Sequence, residues 1–280
     1  MTPHDGTRLA PSLERIERDG LVLYTDVALR ESDGIVVAFS ERTGGVSKPP
    51  YASLNLAAHV GDDPLAVDAN RVRLLDALGC AGFADRVVTA QQVHGSVIAH
   101  AQPSDAGTGA RASAGTPPFS ATDAIITHVP DTPLLMMYAD CVPVILVARK
   151  RVPMVAVVHA GWKGTLELLS GRTAVLLAAK AGCETSDLLA YIGPHIGGCC
   201  YEVDEPLRAR FRACFVSEIG HGTRLDLGAA VNESLTAAGV EDSCISGVGV
   251  CTQHHPARFF SYRAAETTGR HGALAILNQG

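Results

Sequence analysis

Cys141 and His159, two residue types that bind soft divalent metals, stand equally far from Lys150 within one patterned stretch. Cys141 precedes the run Val142 to Ala148, and His159 follows the run Val152 to Val158. Between these runs lies the charged connection Arg149–Lys150–Arg151. Two apolar, β-rich runs around a short polar connection predict a β-hairpin. A symmetric antiparallel register centred near Lys150 sets Cys141 opposite His159, with Cβ atoms about 4.5–5.5 Å apart. That separation suits two ligands of one zinc ion, for which Zn–S is about 2.3 Å and Zn–N about 2.0–2.1 Å. A slip of one residue turns side chains to the other face. Pro143 marks the outer end of the hairpin as an edge or an irregularity.

The apolar runs bury both arms, and an unpartnered thiolate in such surroundings is costly. A zinc ion offsets that cost and keeps the sulfur deprotonated. Asp140 stands beside Cys141, where it can orient a ligand, accept a proton or receive a hydrogen bond; a solvated cap is its plainer role. A structural zinc site takes four protein ligands and a catalytic one three. His94 is the best third candidate, between Val93 and Gly95 after a short strand. Read from the residues alone, an exposed or hydrogen-bonding histidine is its plainer role.

Several residues qualify for binding a substrate or an anion. Arg42 lies in Ser40–Glu41–Arg42–Thr43–Gly44–Gly45, where glycines permit close backbone approach to phosphate and the guanidinium offers a bidentate contact. Asn55 and His59 either bind substrate or support the entrance to the following helix. Lys163, in Gly161–Trp162–Lys163–Gly164, adds charge beside a helix start, and Trp162 lines a pocket or packs in the core. The stretch is not a P-loop, because the GK[ST] ending is absent. Arg263, in Phe259–Phe260–Ser261–Tyr262–Arg263, binds an anion, orients a loop or makes a surface ion pair. The adjacent Cys199 and Cys200 point different ways in an extended backbone, which weakens a shared metal. His195 and the pair His254–His255 are read first as loop residues.

These residues need a scaffold. Strands are predicted over 21–28, 34–39, 87–90, 188–192, 245–250, 259–262 and 273–277 besides the two hairpin arms. Helices are predicted over 63–78, 162–181, 205–215 and 226–238, from apolar spacing and from stops such as Gly79 and Gly239. Residues 41–50 and 101–120 read as loops rich in glycine, proline and serine. The mixture predicts an α+β fold: a single domain over residues 21–280, with central mixed or antiparallel sheets and flanking helices, preceded by a loose segment over residues 1–20.

Composition limits the partners. The chain of 280 residues is 47% hydrophobic and carries a formal charge of -6. An acidic balance without a basic patch argues against nucleic acid as a partner. No apolar segment is long enough to span a membrane, and the polar start is not a secretory signal. The eight cysteines make no dense disulfide pattern, so free thiols in a cytoplasmic setting are expected.

The chain closely resembles the laccase-domain family, also described as purine nucleoside phosphorylases of the YfiH type. The resemblance rests on Ser53–Leu54–Asn55–Leu56, Gln91–Gln92–Val93–His94–Gly95, Thr122–Asp123–Ala124, Ala139–Asp140–Cys141–Val142–Pro143 and His159–Ala160–Gly161–Trp162–Lys163–Gly164. Ile192–Gly193–Pro194, Cys199–Cys200–Tyr201–Glu202–Val203 and Phe259–Phe260–Ser261–Tyr262–Arg263 complete it in the same order, over nearly the whole chain. His195 departs from the pattern, because members often have cysteine there. The resemblance implies one α/β domain with His94, Cys141 and His159 as zinc ligands. It implies phosphorolysis of adenosine, guanosine, inosine and S-methyl-5'-thioadenosine, with deamination of adenosine besides. Purine nucleoside and inorganic phosphate are then the partners, and Arg42, Asn55, His59, Lys163 and Arg263 are the candidates to bind them, with Asp140 as the proton shuttle. Other activities described for members are editing of a mis-built peptidoglycan amino-sugar precursor, as a zinc amidase, and copper-dependent polyphenol oxidation. Neither monomer nor homodimer is indicated.

Overall fold

The structure is a computed structural model that describes residues 10–278. Residues 1–9 of the segment expected to be loose lie outside the described residues. The remainder of that segment contains a strand, β1 (Glu14–Arg18), which pairs with β2 (Leu21–Thr25). Its alternating charges suit a sheet edge, where they discourage pairing with another chain, and they hide it from a reading based on apolar pattern. Helix α1 (Val27–Asp33) fills the polar connection that follows. Asp26 caps it by accepting from the Leu29 N–H, and Gly34 closes it in the left-handed conformation before β3 (Ile35–Ser40).

Helix α2 (Pro64–Ala77) begins as its sequence suggests, with Asp63 as N-cap and Pro64 in the first turn. After it come β4 (Ile98–Ala101), β5 (Ala124–Thr127), β6 (Leu134–Tyr138), and the hairpin of β7 (Val142–Ala148) and β8 (Met154–Ala160). The expected helix over 162–181 is two helices, α3 (Trp162–Leu166) and α4 (Leu169–Ala181), because Leu168 adopts φ 55° and breaks the ladder. Then follow β9 (Leu189–Ile192), α5 (Glu205–Cys214), α6 (Leu227–Ala237), β10 (Ile245–Gly247) and β11 (His271–Leu277). Residues 87–90 make only isolated bridges, at Val88 and Ala90. Residues 259–262 are not a strand: Phe259 and Phe260 are buried in irregular backbone, so their aromatic content reflects packing rather than pairing.

Two sheets result. The first has the order β1-β2-β3-β11-β6, antiparallel throughout. The second has the order β10-β9-β7-β8-β5-β4 and is mixed, since β4–β5 and β9–β10 are parallel. Period-two alternation splits the first sheet between two cores. Leu135, Val36, Ala38, Leu274 and Ile276 face α2 through Leu74, Leu75 and Leu78. Val37, Phe39, Met136, Tyr138 and Ala275 face the second sheet. Arms β7 and β8 are buried along their whole length, between the first sheet and helices α4 and α6, and therefore read as unbroken apolar runs. The fold is a single α+β domain with mixed and antiparallel sheets flanked by helices.

Candidate metal centre and active-site cavity

The hairpin forms, but its register differs from the expected one. Val142 pairs with Ala160 and Pro143 with His159, so the centre is Arg151 rather than Lys150. Arg151 takes φ 57°, a left-handed turn residue that apolar spacing does not reveal. Cys141 is consequently not cross-strand from His159; it precedes β7, after Asp140 at φ 92°. Asp140 is held in that unusual conformation on three sides. Its carboxylate accepts from the Thr252 hydroxyl at 2.7 Å and the Arg263 N–H at 2.8 Å, and its carbonyl accepts from the Ile196 N–H at 2.9 Å. The turn aims Cys141 into the same space as His159.

His94 reaches that space from a separate loop. Its φ is 60°, and Asp123 holds the loop in place. The Asp123 carboxylate accepts from the backbone N–H groups of Val93, His94 and Gly95 at 3.2, 3.0 and 2.7 Å. Gln92 anchors the same loop to β6, donating to the Met137 carbonyl at 2.7 Å and accepting from the Met137 N–H at 2.9 Å. Asp123 also lies 2.8 Å from Nδ1 of His159. That bond leaves Nε2 of His159 to face the cluster. The ligand atoms of His94, Cys141 and His159 all lie within 4.8 Å of one another.

Electrostatics favour an anionic sulfur here. Burial alone raises the Cys141 pKa, yet the neighbouring His159 and His94 rings overcome it and bring the thiol down. Burial likewise opposes protonation of His159, but Cys141 and Asp123 push its pKa up. Asp123 is held below the usual carboxylate range, against its own burial, by His159 and the loop N–H groups. A thiolate and two imidazoles, one of them oriented by a carboxylate, form a donor set for a divalent metal with a preset outer shell. Gly161 keeps the space clear: a Cβ there would stand 2.9 Å from Cδ2 of His94 and 3.3 Å from Sγ of Cys141.

The cluster floors a cavity of about 520 Å³, a size that takes a small-molecule ligand. His59, Asp140, Lys163 and Arg263 line it along with the three metal candidates. Arg263 lies over the Tyr201 ring at 4.8 Å and donates to the Glu202 carbonyl at 2.9 Å. Two sequence candidates lie elsewhere. Arg42 spends its guanidinium on the carbonyls of Ala52 and Pro256 and stacks on Phe260 at 4.3 Å. It is thus a loop clamp, with its donors turned away from the cavity. Asn55 is buried and ties Ala57, Asp62 and the Arg270 N–H together. His195 bonds the Gly193 carbonyl and packs on Gly228 at the start of α6. Residue reading missed Arg270, a half-buried cation on the cavity wall, and Asp123. Asp123 did carry a signal, as the acidic residue heading an apolar strand in Thr122–Asp123–Ala124; Arg270 had none.

A family model described as multi-copper polyphenol oxidoreductase laccase matches residues 36–278. The chain belongs to that family. The purine nucleoside phosphorylase YlmD of Geobacillus stearothermophilus is 38% identical over 246 residues, which cover 85% of this chain and 88% of that protein. A purine nucleoside phosphorylase of Deinococcus radiodurans is 40% identical over 242 residues, covering 85% and 87%. The crystal structure of YlmD from Geobacillus stearothermophilus superposes with a TM-score of 0.85 at 34% identity, over 96% of this chain and all (100%) of that one. The crystal structure of the hypothetical protein YfiH of Bacillus licheniformis gives a TM-score of 0.84 at 31% identity, over 94% and 98%. Among the described residues no helix is long and apolar enough to cross a membrane.

Proposed function

We propose that the protein is a zinc-dependent purine nucleoside phosphorylase that acts on adenosine, guanosine, inosine and S-methyl-5'-thioadenosine and also deaminates adenosine. The observation that carries this reading is the convergence of His94, Cys141 and His159 on a ligand-sized cavity that also collects Lys163, Arg263 and Arg270. Relatives of matching length named purine nucleoside phosphorylases support the reaction class. Three protein donors with an open side match catalytic zinc; copper also accepts two histidines and a cysteine, and metal analysis separates the two.

In phosphorolysis a phosphate oxygen bonds to ribose C1′ while the bond from C1′ to the purine nitrogen breaks. The electron pair of that bond leaves with the purine, which takes up a proton. His94, Cys141 and His159 would hold a zinc ion, which when bound would supply Lewis-acid stabilisation of negative charge. Lys163, Arg263 and Arg270 hold the phosphate dianion by charge-assisted hydrogen bonds. Trp162 and Tyr262 line the cavity and are the aromatic side chains placed to pack against the base. Asp140 relays a proton between water and the departing ring; each of its oxygens accepts one protein bond and retains lone-pair capacity. His59, a solvent-exposed residue, lines the same cavity.

The test is product identification from zinc-loaded protein given adenosine, inosine or the amino-sugar precursor, with and without phosphate. Ribose 1-phosphate and free base that require phosphate, and that vanish in Cys141→Ser, are expected, with ammonia released from adenosine. A released amino acid without ribose 1-phosphate would replace the reading by an amidase. Full turnover after metal removal would refute the metal's part in it.

A further inference from the structure

Outside the cavity a second group of metal donors comes together. Cys199 and Cys200 follow β9 on the loop that begins at Gly193, and Cys251 and His254 belong to a turn beyond β10. Their ligand atoms all lie within 4.8 Å of one another. We propose that Cys199, Cys200, Cys251 and His254 form a second metal site, closed by four protein ligands and suited to structural zinc, that staples these two segments together.

The geometry fits zinc closely. Bond lengths of about 2.3 Å to sulfur and about 2.0–2.1 Å to nitrogen, at a tetrahedral angle of about 109°, set the two donors about 3.5–3.6 Å apart. Cys199 Sγ and His254 Nδ1 are 3.6 Å apart. Cys251 and His254 are separated by two residues of a single turn, a spacing common for paired zinc ligands. Cys251 Sγ accepts the Gly197 N–H at 3.3 Å, so its sulfur is already oriented by backbone. A Cβ on Gly197 would stand 3.2 Å from Cys199 Sγ and 3.4 Å from Cys251 Cβ, so a side chain at this position would crowd the Cys199 sulfur. A disulfide would use two of the three thiols and leave the third thiol and the imidazole without a purpose; all three cysteines are free.

The location gives the site a consequence. Thr252, next to Cys251, holds the Asp140 carboxylate through its hydroxyl and donates its N–H to the His195 carbonyl. Tyr201, next to Cys200, lines the cavity beneath Arg263. Zinc bound by the four ligands therefore fixes one wall of the cavity and the turn that presents Cys141, with no part in the chemistry.

The inference stands apart from the proposed reaction, and metal counting on the full chain separates the two. Zinc per chain is measured by mass spectrometry for the wild type, for Cys141→Ser, and for the double variant Cys199→Ser/Cys251→Ser. Expected are two zinc ions in the wild type and one in each variant. Cobalt-loaded Cys141→Ser should keep the strong thiolate-to-cobalt charge-transfer absorption of three cysteines, and the double variant only the weaker absorption of the single Cys141 thiolate. One ion in the wild type and one in Cys141→Ser would still support the second site while refuting the first. Cys141→Ser that binds neither zinc nor cobalt through thiolate overturns the proposal. So does a native mass showing a disulfide among Cys199, Cys200 and Cys251 in protein isolated under reducing conditions. Should the double variant fail to fold, Cys141→Ser alone decides.

Discussion

The Asp123 carboxylate lies 2.8 Å from Nδ1 of His159 and accepts, at the same time, the backbone N–H of His94. One buried acid therefore orients two of the three metal candidates, one through its ring and the other through its loop. Asp123→Asn keeps the volume but puts an NH₂ group among donors that need an acceptor. The expected result is a fall in zinc affinity of about 10–100-fold, the usual cost of losing such a partner, with folding retained. Competition with a chromogenic chelator measures it. Unchanged affinity would show that the loop and ring hold their places without Asp123.

Gly161→Ala tests the clearance beside the cluster. The added methyl meets the rim of the His94 ring at 2.9 Å and the Cys141 sulfur at 3.3 Å. Gly161 itself is extended, with φ -76°, so alanine brings no backbone strain. We expect metal binding and turnover to fall while the melting temperature changes little. A variant as active as the wild type would mean that His94 moves aside at no cost.

How much of this was legible in the sequence depends on the range of the interaction. Local signals read correctly: the helical stretches 63–78 and 226–238 that become α2 and α6, and the apolar runs of β7 and β8. The hairpin was legible but its register was not, because Arg151 in a left-handed conformation sets the turn and charged residues look alike in sequence. The meeting of His94 with Cys141 and His159 depends on Asp123 and Gln92 bonding across the fold, and no local spacing encodes that; the ordered motifs of the family supplied it. Arg42 is the same case in reverse. Its glycine-bearing loop suggested phosphate, whereas the carbonyl that takes up one of its donors belongs to Pro256, far away in the chain.

That contrast predicts different phenotypes for two arginines. Arg42→Ala removes donors from the Ala52 and Pro256 carbonyls and uncovers Phe260. A stability loss of about 1–3 kcal/mol is expected, with the KM for phosphate within about two-fold of the wild type. Arg270→Ala removes a cation from the cavity wall and should raise the KM for phosphate about ten-fold or more, the loss of one charge-assisted contact. Urea titration and phosphate-dependent rates separate the two. A phosphate defect in Arg42→Ala with unchanged stability would return Arg42 to the site.

His271 supplies a pH test free of the metal. It lies at the start of β11 with no solvent exposure, packed between the rings of Tyr138 and Phe259. Burial, reinforced by the charges of Arg270 and Arg42, drives its pKa down to about 3. The unfolded chain takes up this proton near pH 6.5 and the folded chain refuses it until near 3, so protonation draws the equilibrium toward unfolding within that window. Stability is therefore full above about pH 6.5 and falls as the pH drops, by up to about 1.4 kcal/mol per unit from this group alone. His271→Leu removes the titration, and its stability should decline less steeply than that of the wild type between pH 6 and pH 4, whatever its value at neutral pH. Urea unfolding of metal-free protein at several pH values gives both slopes. Parallel curves would mean that His271 takes up its proton in the folded chain as readily as in the unfolded one.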